Sequence, residues 1–466
     1  MIQLAVWAGQ DRVGTLSHEA QSNLFDFSYA DAWQQSPRSF PLSPQMPLFA
    51  ATHAADARAF AELPAETRSA IVRAFFQNLL PEGQALEVAA QANGVARGNL
   101  AGLLVALGAE TAGALCVTLA DGATQAQPAE QPLRPLPLAE LSERIRGRPD
   151  LPFAIWDGKV RLSIAGLQDK IAVLEEHGQL FLANGDGHAS TVILKPAPAD
   201  ARFAGLPAIE HTCMHLAAAA GIATARTRLL HVPEPVLLVE RFDRRRSGDG
   251  RIERLHIIDA CQALGLSPEL KYERAYGDQE AVRHLRDGAS LPRLFGLADL
   301  SPAPLAMRNQ LLDRTLFNVL VGNTDAHGKN WSFFVGPQAG LLTLAPAYDL
   351  VDVESVAHDH MSTTFAMGIG DAFTPDELTP FEWAGMAAQC KLAPRHLAMR
   401  LKALSSMLPR LLRDARATLE QQGVPPHLLS SLEARLQDRC TSVSAKADEI
   451  ARVPKRSPLT WDVCSR

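Results

Sequence analysis

Cysteine is scarce in this sequence and none of it is paired by spacing. The six residues Cys116, Cys213, Cys261, Cys390, Cys440 and Cys464 are scattered through 466 positions, with no CxxC pair and no His spacing that would build a zinc site. They read as reduced thiols, which excludes a disulfide scaffold and a zinc-ribbon module. An excess of basic charge is missing as well. A net charge of -6 and a pI near 6.2 supply no electrostatic footprint for nucleic acid or an anionic membrane, so any DNA contact has to be local or made through a partner. Long apolar runs are also absent: the opening MIQLAVWAGQDRVG has no basic leader, and no later segment approaches the roughly 20 apolar residues that span a bilayer. A cytoplasmic protein with no membrane partner is expected.

The chain is about three times the usual domain size, and its 47% hydrophobic content is that of a packed globular protein, so two or three domains are expected. Gln3 to Trp7, a turn at Gly9 to Arg12, Val13 to Leu16 and the alternating Phe25, Phe27 and Tyr29 read as a small β-rich unit. Ile71, Val72, Phe75, Phe76, Leu79 and Leu80 repeat at helical spacing up to Pro81. Ala, Gln and Pro then dominate between Asp121 and Pro137, as in a linker or exposed loop. Short β-type runs follow at Lys159 to Ile164, Ile171 to Leu174, Leu180 to Leu182, Thr191 to Leu194 and Val236 to Val239. They are interrupted by one helix over Ala208 to Ala220 that carries Glu210 in its first turn. From about Leu255 helical patterns dominate, notably Leu305 to Gly322 and Leu392 to Ile450. The expected class is α+β, with units at 1–120, 138–243 and 244–466 and a linker at 121–137.

The sharpest local signal is LFNVLVGNTDAHGKNWSFFV, in which Asp325 and Asn330 stand five apart in a polar loop. Phosphotransferases need such a pair: the Asp takes or orients the acceptor hydroxyl proton, and the Asn amide oxygen ligates Mg²⁺. Taken alone, the spacing is commonplace and more often caps turns. Asp349 in LLTLAPAYDLVDV changes the odds, because ATP carries its Mg²⁺ between phosphates and the ion needs a protein carboxylate. The bland alternative is an N-cap aspartate. Lys195, closing the apolar run TVILKP, is costly to bury without an anion; Glu210 and ATP phosphates would supply one, and otherwise it snorkels to solvent. Ser163, Ile164, Ala165 and Gly166 in RLSIAGLQDKIAVL form a turn whose backbone N–H groups suit phosphates, though GxGxxG is absent. The strand VLLVERFDR, with Glu240 and Phe242 at its polar end, suits an interlobe hinge that hydrogen-bonds adenine. Most such strands are merely core.

Five segments in this order, RLSIAGLQDKIAVL, TVILKP, LLVERFDR, VGNTDAHGKNWSF and LAPAYDL, resemble the HipA family of bacterial serine/threonine-kinase toxins. WAGQDRVGTL, AFFQNLLPEG and IIDACQALGLSPELKYE extend the resemblance to most of the chain, the last roughly 80 residues excepted. The resemblance implies a two-lobed, protein-kinase-like fold with an extra N-terminal β-rich subdomain and a mainly helical C-terminal lobe. It makes Asp325 the catalytic base, Asn330 and Asp349 the metal ligands, Lys195 the lysine on the ATP phosphates and Ser163 an autophosphorylated serine. Gln168, Lys170, His327 and Lys329 stand as supporting residues beside Glu210. It further implies a HipB-like helix-turn-helix antitoxin dimer that carries the operator DNA contact, and an aminoacyl-tRNA synthetase as the protein substrate, whose phosphorylation inhibits translation. Asn323-Thr324 replace the His-Arg that precedes the base in eukaryotic kinases, and no DFG or APE segment occurs. Regulation by that kind of activation loop is therefore unsupported.

Three rivals stand beside this reading. A small-molecule phosphotransferase would use the same Asp, Asn and Asp centre. A catalytically inactive co-repressor would only bridge antitoxin dimers. A metal hydrolase would have to be built around His327, His358, Asp359 and His360, which lack HExxH-type spacing.

Overall fold

The computed structural model describes residues 1–49, 54–120, 133–148, 151–157, 159–160, 169–183, 189–248, 250–337, 339–357 and 363–454. The N-terminal unit is a four-stranded antiparallel sheet in the order Leu24–Tyr29, Asp11–Glu19, Ile2–Ala8, Leu115–Leu119. Alternation builds it: Leu4, Val6, Val13, Leu16, Phe25 and Phe27 are buried on one face, against the helix Ala65–Gln77 and its Val72, Phe75 and Phe76. The hairpin turn is tighter than expected, because Ala8 already pairs with Asp11 and Gly9 alone takes a left-handed φ of 61°.

A six-stranded sheet follows, ordered Thr227–His231, Pro235–Glu240, Val192–Pro196, Ile171–Glu176, Gln179–Leu182, Arg134–Pro135. Its last member comes from the stretch read as a linker: Arg134–Pro135 pairs with Gln179–Leu182, and the buried Leu136 packs in the core on that face. The helix Leu206–Ala219 carries the opposite burden, with Ile209, Cys213, Met214, Leu216 and Ala217 buried. Pro207 sits in its first turn, where a missing N–H costs nothing, so the helix begins earlier than expected and Glu210 lies in the second turn.

The remaining half is the expected helical lobe, plus a three-stranded sheet of Ile257–Asp259, Ser332–Val335 and Leu342–Leu344 that the sequence reading did not anticipate as a unit. Helix Pro304–Val321 stops at Gly322, which takes a left-handed φ of 81°. The long C-terminal pattern is two helices, Pro394–Gln421 and Pro426–Ile450, broken where Gly423 and Pro425 end the periodicity. Residues 271–290 are turns instead of helix. A Cβ on Gly288 would stand 1.8 Å from the Tyr272 carbonyl oxygen, so the chain doubles back on itself there. One core runs from the N-terminal sheet into the helical lobe; a second lies under the six-stranded sheet and the helix Leu138–Arg146. No described helix is long and apolar enough to cross a membrane.

Candidate functional site

Strand Val192–Pro196 alternates its side chains so that Val192 and Leu194 enter the core beneath the sheet while Lys195 faces the helix Leu206–Ala219. Lys195 is only 6% exposed, so it does not snorkel. Its Nζ donates to Glu210 Oε1 at 2.8 Å and to Asp349 Oδ1. Burial opposes the ammonium charge, but the two carboxylates outweigh it and hold the Lys195 pKa above the ordinary lysine value. The carboxylates respond in opposite directions. Burial pushes Glu210 up, against the pull of Lys195, whereas for Asp349 the Lys195 and Lys170 ammoniums overcome burial and hold the carboxyl well below the aspartate range. Lys170 is itself buried, and desolvation lowers it to about 8 despite Asp349.

Asp349 is not an N-cap: the next helix, Val353–Ala357, begins four residues later. It follows an isolated parallel bridge between Thr224 and Ala347, beyond the end of the strand that was expected to carry it. Its φ of 56° is left-handed, which costs a non-glycine residue about 1–2 kcal/mol. Asn323 Nδ2 donates to the Asp349 carbonyl at 3.2 Å, and the side chain of Asp349 stays 33% exposed.

The loop after Gly322 carries Asp325, whose Oδ1 accepts from the Tyr272 hydroxyl at 2.8 Å. Burial pushes the Asp325 carboxyl up, with the Tyr272 hydrogen bond opposing. Asn330 Nδ2 donates to the Asp325 carbonyl at 3.0 Å, which spends the amide nitrogen inside the loop and leaves the amide oxygen as the atom that suits a cation. Behind the loop, the buried Arg314 donates to the Asn330 carbonyl and stacks 4.4 Å from the Trp331 ring centre. Gly328 has to be glycine because a Cβ there would meet Ala289 Cβ at 2.6 Å. His327 is buried edge-on to Tyr272, with ring centres 5.2 Å apart, and desolvation lowers its pKa to about 3, so it is neutral near pH 7. Lys329 points the other way, into Asp259 at 2.6 Å and Asn78 Oδ1 at 2.8 Å.

Glu240 ends the strand Pro235–Glu240, and the Phe242 ring lies 5.7 Å from that of Tyr348, next to Asp349. The Glu240 N–H donates to the Arg226 carbonyl and the Arg241 N–H to the Thr191 carbonyl, so these two N–H groups are already spent within the fold. Ser163, Ile164, Ala165, Gly166 and Gln168 lie outside the described residues, as do His358, Asp359 and His360 of the hydrolase alternative. Among the described residues no cluster of three His, Cys, Asp or Glu side chains is placed to hold a metal ion. The fold thus brings Lys195, Glu210, Asp349 and Lys170 into one charged group, with Asp325 and Asn330 on a loop tied to it through Asn323. Tyr272, Glu82 and Arg314 were not singled out from sequence. The first two stand in segments, IIDACQALGLSPELKYE and AFFQNLLPEG, whose polar residues had been given no role.

Residues 4–118 match the HipA N-terminal domain, and residues 162–412 the HipA-like C-terminal domain. Over 460 residues the chain is 33% identical to the serine/threonine-protein kinase toxin HipA of Shewanella oneidensis, covering 97% of this chain and 98% of that protein. It is 34% identical over 440 residues to the putative kinase Y4mE of Sinorhizobium fredii, covering 93% and 97%. Among solved structures, the HipA chain in a complex of Shewanella oneidensis HipA, HipB and operator DNA superposes with a TM-score of 0.82 at 33% identity, covering 97% of this chain and all of that one.

Proposed function

This chain belongs to the HipA family of serine/threonine-protein kinase toxins, and from that premise we propose that Asp325, Asn330, Asp349 and Lys195 form its phosphoryl-transfer centre. The observation that carries the assignment is the Lys195 ammonium held between Glu210 and a strained, ionised, partly exposed Asp349. A buried lysine in that setting can exchange a carboxylate for phosphate oxygens of ATP at little electrostatic cost. The Asn330 amide oxygen and the Asp349 carboxylate are hard oxygen donors that would hold Mg²⁺, which would supply charge neutralisation to the phosphates of ATP. Asp325 accepts the proton of the acceptor serine or threonine hydroxyl as its oxygen bonds to the γ-phosphorus. The bond from that phosphorus to the bridging oxygen breaks, and ADP leaves. Lys195 holds the phosphates in place, and Glu210 keeps Lys195 in place.

The substrate we infer is a protein, an aminoacyl-tRNA synthetase in the family pattern, whose modification inhibits translation. Autophosphorylation at Ser163 belongs to the same reading and rests on the family resemblance. The partner we infer is a HipB-like helix-turn-helix dimer, in line with the HipA, HipB and operator DNA complex of the Shewanella relative. The acidic net charge of this chain suits DNA contact through that partner. The test is to incubate a bacterial extract with Mg-ATP and either wild type or D325N, and to quantify phosphopeptides. One or a few proteins should gain phosphoserine or phosphothreonine with wild type only. Identical phosphopeptide profiles from the two would overturn the assignment.

A further inference from the structure

The N-terminal unit reaches the catalytic loop through two buried polar contacts that the transfer chemistry does not itself require. Glu82, just after the helix Ala65–Gln77, accepts from Lys271 Nζ at 2.6 Å, with the two side chains only 12% and 8% exposed. Lys271 in turn is bound into the loop: its carbonyl accepts the Gly328 N–H at 2.9 Å, and its ammonium lies 5.4 Å from the ring centre of its neighbour Tyr272. Tyr272 then donates to Asp325. The second contact is Asn78, which accepts from Lys329 through both its side-chain oxygen and its carbonyl, and whose amide nitrogen is spent on Ala74 and Leu266.

We propose that Tyr272 is a positioning residue that aims the Asp325 carboxylate, and that the N-terminal unit holds Tyr272 in place through Glu82 and Lys271. This rests on Asp325 being the base. A carboxylate on a loop turns freely about its last bond unless something fixes it. The Tyr272 hydroxyl occupies Oδ1, leaving Oδ2 as the oxygen that can take the acceptor proton. The phenol is a dependable donor, because burial and the nearby Asp325 charge push its pKa above the ordinary tyrosine value. Tyr272 cannot swing away easily: His327 packs edge-on against its ring, and Gly288 lies tightly on its carbonyl. Glu82 is the anion that makes burial of the Lys271 ammonium tolerable, and Lys271 is covalently next to Tyr272. The catalytic loop is therefore completed by residues up to 251 positions away in sequence, on a unit that contributes none of the residues assigned to the transfer itself.

The experiment measures initial rates of γ-phosphoryl transfer to extract proteins at saturating Mg-ATP, together with Mg-ATP affinity by calorimetry. Y272F should lower the rate about 10- to 100-fold, the scale of a misplaced catalytic group, while Mg-ATP affinity and melting temperature stay close to wild type. E82Q should lower the rate in the same way, and E82Q/Y272F should be no slower than Y272F alone, because Glu82 acts through Tyr272. If E82Q fails to fold because Lys271 is left buried without an anion, E82Q/K271M removes both charges and carries the same comparison. A Y272F rate within twofold of wild type overturns the role of Tyr272. Multiplying effects in the double variant overturn the link to Glu82. A D325N variant that still transfers phosphate overturns the underlying assignment of the base, and the proposal falls with it.

Discussion

Two groups of buried charge, one around Asp243 and Glu110 and the other around Lys195, are built on different terms. In one, Asp243 accepts from Arg241 at 2.9 and 2.6 Å, from Arg244 at 2.7 Å and from the Gly113 N–H at 2.8 Å, while Glu110 pairs with Arg254 at 2.6 Å. Burial alone would raise both carboxyls, but the arginines outweigh it and hold both below their ordinary values. In the other group, around Lys195, one carboxyl is driven up and the other down, the second stays one-third exposed, and its backbone is left-handed. Buried charge is thus common to both and diagnostic of neither. What separates them is exposure and backbone: the arginine cluster is buried and, Arg244 Nε apart, its guanidinium groups bond to the chain, whereas the lysine group keeps a partly exposed Asp349 carboxylate on left-handed backbone.

The largest expected effect breaks that comparison at the lysine group. D349N should lower phosphoryl transfer by at least 10³-fold, about 4 kcal/mol of barrier, and lower the midpoint of chemical denaturation less than D243N does, because Glu210 remains beside Lys195. Rate assays beside a urea titration check both halves. D243N should do the reverse. It leaves two buried guanidinium groups short of an anion, so unfolding stability should drop by about 3 kcal/mol, while the rate per folded molecule stays within a few-fold of wild type. A rate loss as large as that of D349N would place Asp243 in the chemistry.

A smaller effect comes from acid. His256 joins the N-terminal unit to the helical lobe, its Nε2–H donating to the Leu42 carbonyl at 3.0 Å, and burial lowers its pKa to about 4. The unfolded chain takes up this proton near pH 6.5 and the folded one only near pH 4. Stability therefore falls as pH is lowered across that window, by up to about 1.4 kcal/mol per pH unit. The contribution of Asp243 has the same sign in a lower window: it is fully present above its unfolded pKa, near 3.9, and is lost only below it. H256Q should make the decline above pH 4 shallower, leaving the share that buried His327 contributes there, and leave the one below unchanged. Denaturant midpoints across pH 3.5 to 7 distinguish the two.

The sequence made some of this legible and hid the rest for physical reasons. Period-two and helical spacing located the N-terminal sheet, the helix that packs on it and the helix that ends at Gly322, because those elements are half-buried and carry their pattern locally. Lys195 and Glu210 were paired from sequence as a costly lysine and its anion, Asp349 was noticed apart from them as a strand-end aspartate, and the fold brings all three within hydrogen-bond reach. Arg134–Pro135 escaped notice because a two-residue edge strand in a Pro-rich stretch has no period to read. Tyr272 and Glu82 escaped for another reason: Tyr272 lies in turns shaped by Gly288, and both residues bond partners 53 and 189 positions distant, a relation that no local pattern encodes. The arginine cluster was equally silent, since Glu110 meets Arg241 across 131 positions.

The division of labour at the lysine group is tested most directly by calorimetric titration of Mg-ATP into wild type, D325N and D349N. Asp349 is cast as a ligand of the metal and Asp325 as the group that takes the hydroxyl proton, so D349N should bind Mg-ATP at least tenfold more weakly, about 1.4 kcal/mol, and D325N should bind it like wild type. Equal affinities in the two variants would contradict the account.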